Sequence, residues 1–189
     1  MKSRFGFLAA LLIVALAAPL TSFFADEETS GRQDEKRAKI STIATEALHG
    51  LLADSSNANS LYENAYGYAV FDNWKFALGV SGGGGTGVAV DKAAGSKTYM
   101  KMGTGGVGLG LGGQKYQLVV MMETKEAFDR FVNKGWQADA QGTAAAGKEG
   151  VSASSSFHNG IALFQITDKG LMANADVTGT KFWKHKKLN

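Results

Sequence analysis

Cysteine is absent from the 189 residues, proline occurs once, at Pro19, and histidine only three times. Without cysteine there is no disulfide framework, no thiolate metal site, no cysteine nucleophile, and no N-terminal cysteine for lipid attachment of the bacterial lipoprotein kind. An exported protein of this composition holds its core by packing alone, which a chain of this length can do, burying roughly two thirds of its unfolded surface. His49, His158 and His185 lie far apart, with neither an H-E-x-x-H nor another two-histidine spacing, so no metal or cofactor is implied.

Charge of one sign is also lacking. The formal net charge is +3, but the basic excess is local. Residues 26–180 contain fourteen basic and seventeen acidic side chains, a net −3, whereas the last nine residues, "KFWKHKKLN", carry four lysines. A body of that charge excludes a surface that tracks nucleic acid.

Long apolar runs are confined to one place. Lys2 and Arg4 precede an uncharged run from Phe5 to Ala25 with the core "FLAALLIVALAA", the basic and apolar regions of a secretory signal. Pro19, Thr21 and Ser22 interrupt it below the roughly 20 apolar residues of a spanning helix. The expectation is an exported protein, periplasmic or peripherally membrane-associated. Its parts are a signal at 1–25 cut between Ala17 and Ala25, an arm at 26–33, a domain at 34–180 and a basic aromatic tail at 181–189.

Glycine, by contrast, is abundant, at 25 residues. In "GTGGVGLGLGG" (103–113) it takes every even position from Gly106 to Gly112, with Val107, Leu109 and Leu111 between. Period two is a strand signal. "ALGVSGGGGTGVAV" (77–90) has Ala77, Gly79, Ser81, Gly83, Gly85, Gly87 and Ala89 on one face, and "VSASSSFH" (151–158) has Ser152, Ser154 and Ser156. Each strand glycine costs about 0.5–1 kcal/mol relative to alanine, so such faces predict close backbone approach or steep curvature.

Ser30 and Gln33 have capping-box spacing, and Ile40, Ile43, Ala44, Ala47, Leu48, Leu51 and Leu52 follow at three- and four-residue steps, an amphipathic helix that "DSSNANS" (54–60) should break. Strands are expected at 66–71, 77–90, 97–102, 103–113 and 115–122. A helix follows over "ETKEAFDRFVNKGW" (123–136), then strands at 151–157, 160–166 and 171–177. The fold class is α+β: a curved, glycine-rich antiparallel sheet or small β-barrel, with an N-terminal helix and one further helix packed against it.

Catalytic motifs fail on context. Gly82/Gly84/Gly87 and Gly103/Gly105/Gly108 match G-x-G-x-x-G, but strand continues where a dinucleotide site needs a helix. Gly79-Val80-Ser81-Gly82-Gly83 matches G-x-S-x-G, and Asp139 and His158 follow in triad order, making a Ser81 hydrolase the remote alternative. No catalytic residue is assigned. The tail offers a different chemistry. Lys181, Lys184, Lys186 and Lys187 suit anionic headgroups, and Phe182 and Trp183 suit the bilayer interface. Against this stands a solvated end whose Phe182 and Trp183 close the last strand, and an apolar pocket between the first helix and the sheet is the other place for a lipid.

"NAYGYAVFDNWKFALGVSGGGGTGVAV", "GTGGVGLGLGGQKYQLVVMMETKEAFDRF" and "GIALFQITDKGLMANADVTG" together resemble, in that order, the SYLF domain family, over residues 34–180. The family occurs in yeast actin-patch proteins, SH3-containing phosphoinositide binders and exported bacterial proteins. The chain departs from it at Asp72 and Lys101, where proline is usual, and in "KGLMAN" for "KGLFAG". The resemblance implies a β-rich, non-enzymatic lipid-binding domain with N-terminal helices. The expected partners are anionic phospholipids or a membrane surface, with a structural or partner-binding envelope protein as the alternative and the protein partner open.

Overall fold

The computed structural model describes residues 18–138, 156–167, 170–171 and 179–189, with the backbone alone at 18–28, 78–80, 107–111, 137–138 and 170–171. Residues 1–36 and 37–189 form separate units. The first contributes helical residues 18–36, whose side chains from Thr29 to Lys36 are almost all exposed. Fold and site are built by the second.

Helix α1 (Ala18–Asp54) runs through the segment expected as an arm. No proline follows Pro19, and the single Gly31 costs only about 1 kcal/mol in a helix. "DSSNANS" breaks the helix as expected, at Asp54, but a second helix starts within it. Ser55 caps α2 (Ser56–Asn64) by accepting from the Ala58 amide through its hydroxyl, and its own N–H returns to Leu51. The N-terminal helix is thus two helices, and α2 brings Ala58 into the core.

The strands expected at 66–71 and 77–90 are one strand, β1 (Gly67–Asp91). Those at 97–102, 103–113 and 115–122 are likewise one strand, β2 (Lys97–Met122). They pair antiparallel from Gly67↔Met122 to Val90↔Lys97. The register shifts between Leu78 and Gly79, whose partners Leu111 and Gly108 leave Leu109 and Gly110 extra on β2. Extra residues on one strand of a ladder bend it, and here β1 folds back on itself about that point. A Cβ on Gly83 would strike the backbone of Trp74 and Lys75; on Gly85, that of Asp72 and Asn73; on Gly87, Val70 and the Phe71 ring. Each contact is symmetric about the Leu78/Gly79 junction, so the two halves of β1 run antiparallel, face against backbone. At the far end the Lys92 amide reaches the Tyr66 carbonyl at 3.3 Å.

The small face of 77–90 is therefore the seam on which the hairpin closes, as the close-approach expectation required. The glycines of 103–113 differ. They lie in a strand, as expected, but Gly105 and Gly112 have nothing within 4 Å of a Cβ position, and Gly112 has φ +124°. The surroundings of Gly108 and Gly110 lie outside the described residues.

Two cores follow from strand alternation. The inner face, with Ala69 and Phe71 of β1 and Met100, Met102, Leu118 and Val120 of β2, packs on Phe128 and Phe131 of α3 (Lys125–Lys134). α3 is capped by the Thr124 hydroxyl and ends at Gly135 with φ 72°. The outer face, with Val70, Val88, Val119 and Met121, packs on Ala44, Ala47, Leu48 and Leu51 of α1 and Ala58 of α2. These side chains form a buried cluster between the helices and the sheet.

The sheet is completed by β3 (Trp136–Ala138), β4 (Ile161–Thr167), β5 (Gly170–Leu171) and β6 (Thr180–Lys184). On the β2 edge away from β1, β6 pairs residues 100–104 and β4 pairs residues 116–122. The order is β3-β6-β2-β4-β5 with β1 on β2. Of the two sheet alternatives it is the curved antiparallel sheet that forms. Among the described residues it does not close into a barrel, and curvature is taken up within the folded hairpin rather than by pairing the outer strands. The expected strands at 151–157 and 171–177 lie mostly outside the described residues. His158 forms only an isolated bridge with Ile161.

Candidate functional site

Outer-face burial by α1 ends partway along the hairpin. Tyr68, Val70, Val88, Val90 and Tyr99 belong to the α1 core, and the same parity continues through Asp72, Trp74 and Phe76 in β1, Thr86 and Gly84, and Lys101, Gly103 and Lys115 in β2. Trp74 is 57% exposed, Phe76 47% and Trp183 45%, the exposed large hydrophobics among the described residues.

Register joins these residues. Lys101 lies opposite Thr86 on one side and Trp183 on the other, Gly103 opposite Gly84 and Lys181, and Lys115 opposite Trp74. The Trp183 indole lies over Gly103, its edge 3.0 Å from the place of a Cβ, so glycine there lets the ring rest on the sheet. Where the two halves of β1 meet, Asp72, Trp74, Gly84, Thr86, Lys101 and Lys115 line an open groove of about 430 Å³. Among the described residues neither Lys101 nor Lys115 is ion-paired or hydrogen-bonded through its ammonium group. The face thus offers indole and phenyl surface beside ammonium groups that no protein group engages among the described residues.

The tail residues singled out in the sequence are divided. Trp183 and Lys181 belong to this outer face. Phe182, 3% exposed, points inward, its ring centroid 4.9 Å from Phe71, 5.3 Å from Phe131 and 5.6 Å from Trp136. Lys184 turns to α3, donating to Asn133 Oδ1 at 2.9 Å. Lys186 and Lys187 are exposed in a closing turn. That turn is held down. Leu188 is 2% exposed, its carbonyl accepts from Arg37 Nε at 2.9 Å, and the Asn189 amide bonds both the N–H and the carbonyl of Tyr99. Trp74, Phe76, Lys101 and Lys115 were missed in the sequence, although Asp72, Trp74 and Phe76 share a parity opposite to the apolar Ala69 and Phe71.

Other polar clusters serve the fold. The Lys92 ammonium donates to the carbonyls of Tyr62 at 2.5 Å, Ala65 at 2.9 Å and Glu63 at 3.3 Å, closing the C-terminal end of α2, and burial lowers its pKa. The Tyr66 hydroxyl donates to Asp91 Oδ2 at 2.6 Å, and that bond is the main cause of both a lowered Asp91 pKa and a raised Tyr66 pKa. Ser81 sits within β1 opposite Gly106, with strand on both sides, so it lacks the turn into a helix that a nucleophile elbow needs. His158 is exposed beside Ser156, and Asp139 lies outside the described residues. Among the described residues no helix is long and apolar enough to cross a membrane.

Two comparisons with known proteins bear on this geometry. Residues 103–189 match the family model described as Ysc84, Las17-binding protein actin regulator. Beta cell expansion factor A of Aeromonas veronii is 41% identical over 169 residues, which cover 87% of this chain and 65% of that relative. The chain therefore spans a little under two thirds of the length of that curated relative.

Proposed function

We propose that this chain, a member of the SYLF family, is an exported non-enzymatic protein that associates reversibly with anionic phospholipid headgroups through the outer face of its folded hairpin. The observation that carries the reading is the grouping of Trp74, Phe76 and Trp183 on the face that presents Lys101, Lys115 and Lys181. Indoles favour the boundary between headgroups and acyl chains, and each lysine near an anionic surface contributes about 1 kcal/mol. Three such lysines amount to about 3 kcal/mol, roughly a hundredfold in affinity and sensitive to salt. Repulsion from the −3 body opposes it, so the contact is weak enough to reverse.

Export rests on the basic and apolar N-terminal pattern, and fractionation of cells with N-terminal sequencing of the product tests it. Binding is tested by sedimentation with phosphatidylglycerol vesicles over a salt series. Wild-type protein should bind at low salt and release as salt rises, and Trp74→Ala/Trp183→Ala should bind at least tenfold more weakly with an unchanged melt. Binding unaffected by those substitutions would remove this face from the site. The Las17-binding description of the family favours a second reading, an envelope or partner-binding protein. A chain that ignores vesicles of every composition would leave that reading in place.

A further inference from the structure

The seam groove carries both signs of charge, which a general attraction to anionic membranes does not require. Lys101 and Lys115 reach it from β2, the Thr86 hydroxyl lies beside Lys101, and Asp72 reaches it from the first half of β1. No ion pair joins Asp72 to either lysine among the described residues, so both signs remain available to a ligand. A bare anion held by the lysines would face the Asp72 carboxylate; a ligand with a cation a few atoms from its anion would satisfy both. Trp74, two residues from Asp72 on the same strand face and opposite Lys115, adds an apolar and π-bearing wall, a surface that attracts an ammonium group. The groove, about 430 Å³, falls within the range of small-molecule sites.

We infer that this groove binds a phosphodiester bearing a primary amine, the phosphoethanolamine headgroup, with its phosphate at Lys101, Lys115 and Thr86 and its ammonium at Asp72 and Trp74. The inference rests on the membrane reading only for the ligand's source, since a soluble ethanolamine phosphate ester has the same chemistry.

The test uses the full chain and soluble glycerophosphoethanolamine, followed at the three indole N–H signals by nuclear magnetic resonance. The Trp74 signal should shift to saturation while that of Trp136 stays still. Glycerophosphoglycerol should bind at least tenfold more weakly. Asp72→Asn, an isosteric change at an exposed position, should abolish that preference, and Lys101→Gln/Lys115→Gln should weaken both esters. A Trp74 signal that does not respond, or a preference that survives Asp72→Asn, would overturn the inference. In a second arm, phosphatidylethanolamine replaces phosphatidylcholine in vesicles of fixed phosphatidylglycerol content, and wild type but not Asp72→Asn should bind more of them. A positive titration without vesicle binding would support the groove as a site for the soluble ester and overturn the membrane reading. Vesicle binding with a silent titration would do the reverse.

Discussion

Placing a methyl group on Gly87 tests the seam directly. The new Cβ would lie 2.8 Å from Phe71 Cγ and closer still to the Val70 carbonyl oxygen. Backbone on the facing half of β1 cannot swing away as a flexible side chain can. Overpacking of this kind costs about 1–3 kcal/mol. Alanine is the better strand residue by about 0.5–1 kcal/mol, so Gly87→Ala should lose about 1–2 kcal/mol net and Gly87→Val more. Gly82, in the same strand, has nothing within 4 Å of its Cβ position, and Gly82→Ala should therefore keep the propensity gain. The two alanine variants should differ by about 2 kcal/mol. For a chain of this size that separates melting temperatures by roughly 4–8 °C. Urea denaturation gives the energies and thermal melts the order. Gly87→Ala as stable as Gly82→Ala would refute the folded hairpin, because propensity alone predicts equal effects at both positions.

Phe182→Ala, which empties the centre of the inner aromatic cluster, should cost about 3–5 kcal/mol by denaturant titration. Of the tail lysines, Lys181→Gln should weaken binding to phosphatidylglycerol vesicles, whereas Lys184→Gln, which loses a bond to Asn133 on the α3 side, should leave it unchanged in sedimentation. Tyr66→Phe should change the pH dependence of stability at both ends. Asp91 has a lowered pKa in the folded state, so its contribution is present above the unfolded value, about 4, and is lost as pH falls through the folded value. Tyr66 has a raised pKa, so its contribution is present below about 10 and is lost as pH rises through the folded value. Melts of wild type and Tyr66→Phe should accordingly converge in acid and in alkali and differ most between.

Helix α3 was legible in the sequence because everything that specifies it is local: Thr124 as cap, Ala127, Phe128, Phe131 and Val132 on one face, and Gly135 as stop. Period two gave the strands and their small face for the same reason. Strand length was not legible. The strand expected at 66–71 stopped short of Asp72 and Asn73, yet Asn73 is buried and continues β1, because pairing with Tyr116 of β2 outweighs local propensity. The break at "DSSNANS" was legible but the short helix after it was not, since a residue that ends one helix can cap the next, as Ser55 does. In the tail, lysines among aromatics marked Trp183 and Lys181, but strand alternation sends Phe182 into the core between them. Trp74 and Phe76 escaped notice because an aromatic residue in a strand is ordinarily core. Only the inward direction of Ala69 and Phe71 shows that they face out.

The glycine face and the groove have one cause. Asp72 and Trp74 belong to the first half of β1 and Thr86 to the second. They share a groove only because Gly83 and Gly85 let the backbone of residues 72–75 lie against the other half. Side chains at those two positions would hold the halves apart and separate Asp72 from Lys101 even in a chain that still folded. Gly85→Ala should thus disturb the groove as well as stability, while Gly87→Ala, nearer the α1-covered end, acts on stability first. The cost of glycine in a strand is then borne where two segments of the chain must meet, and the chemistry of the outer face depends on that meeting.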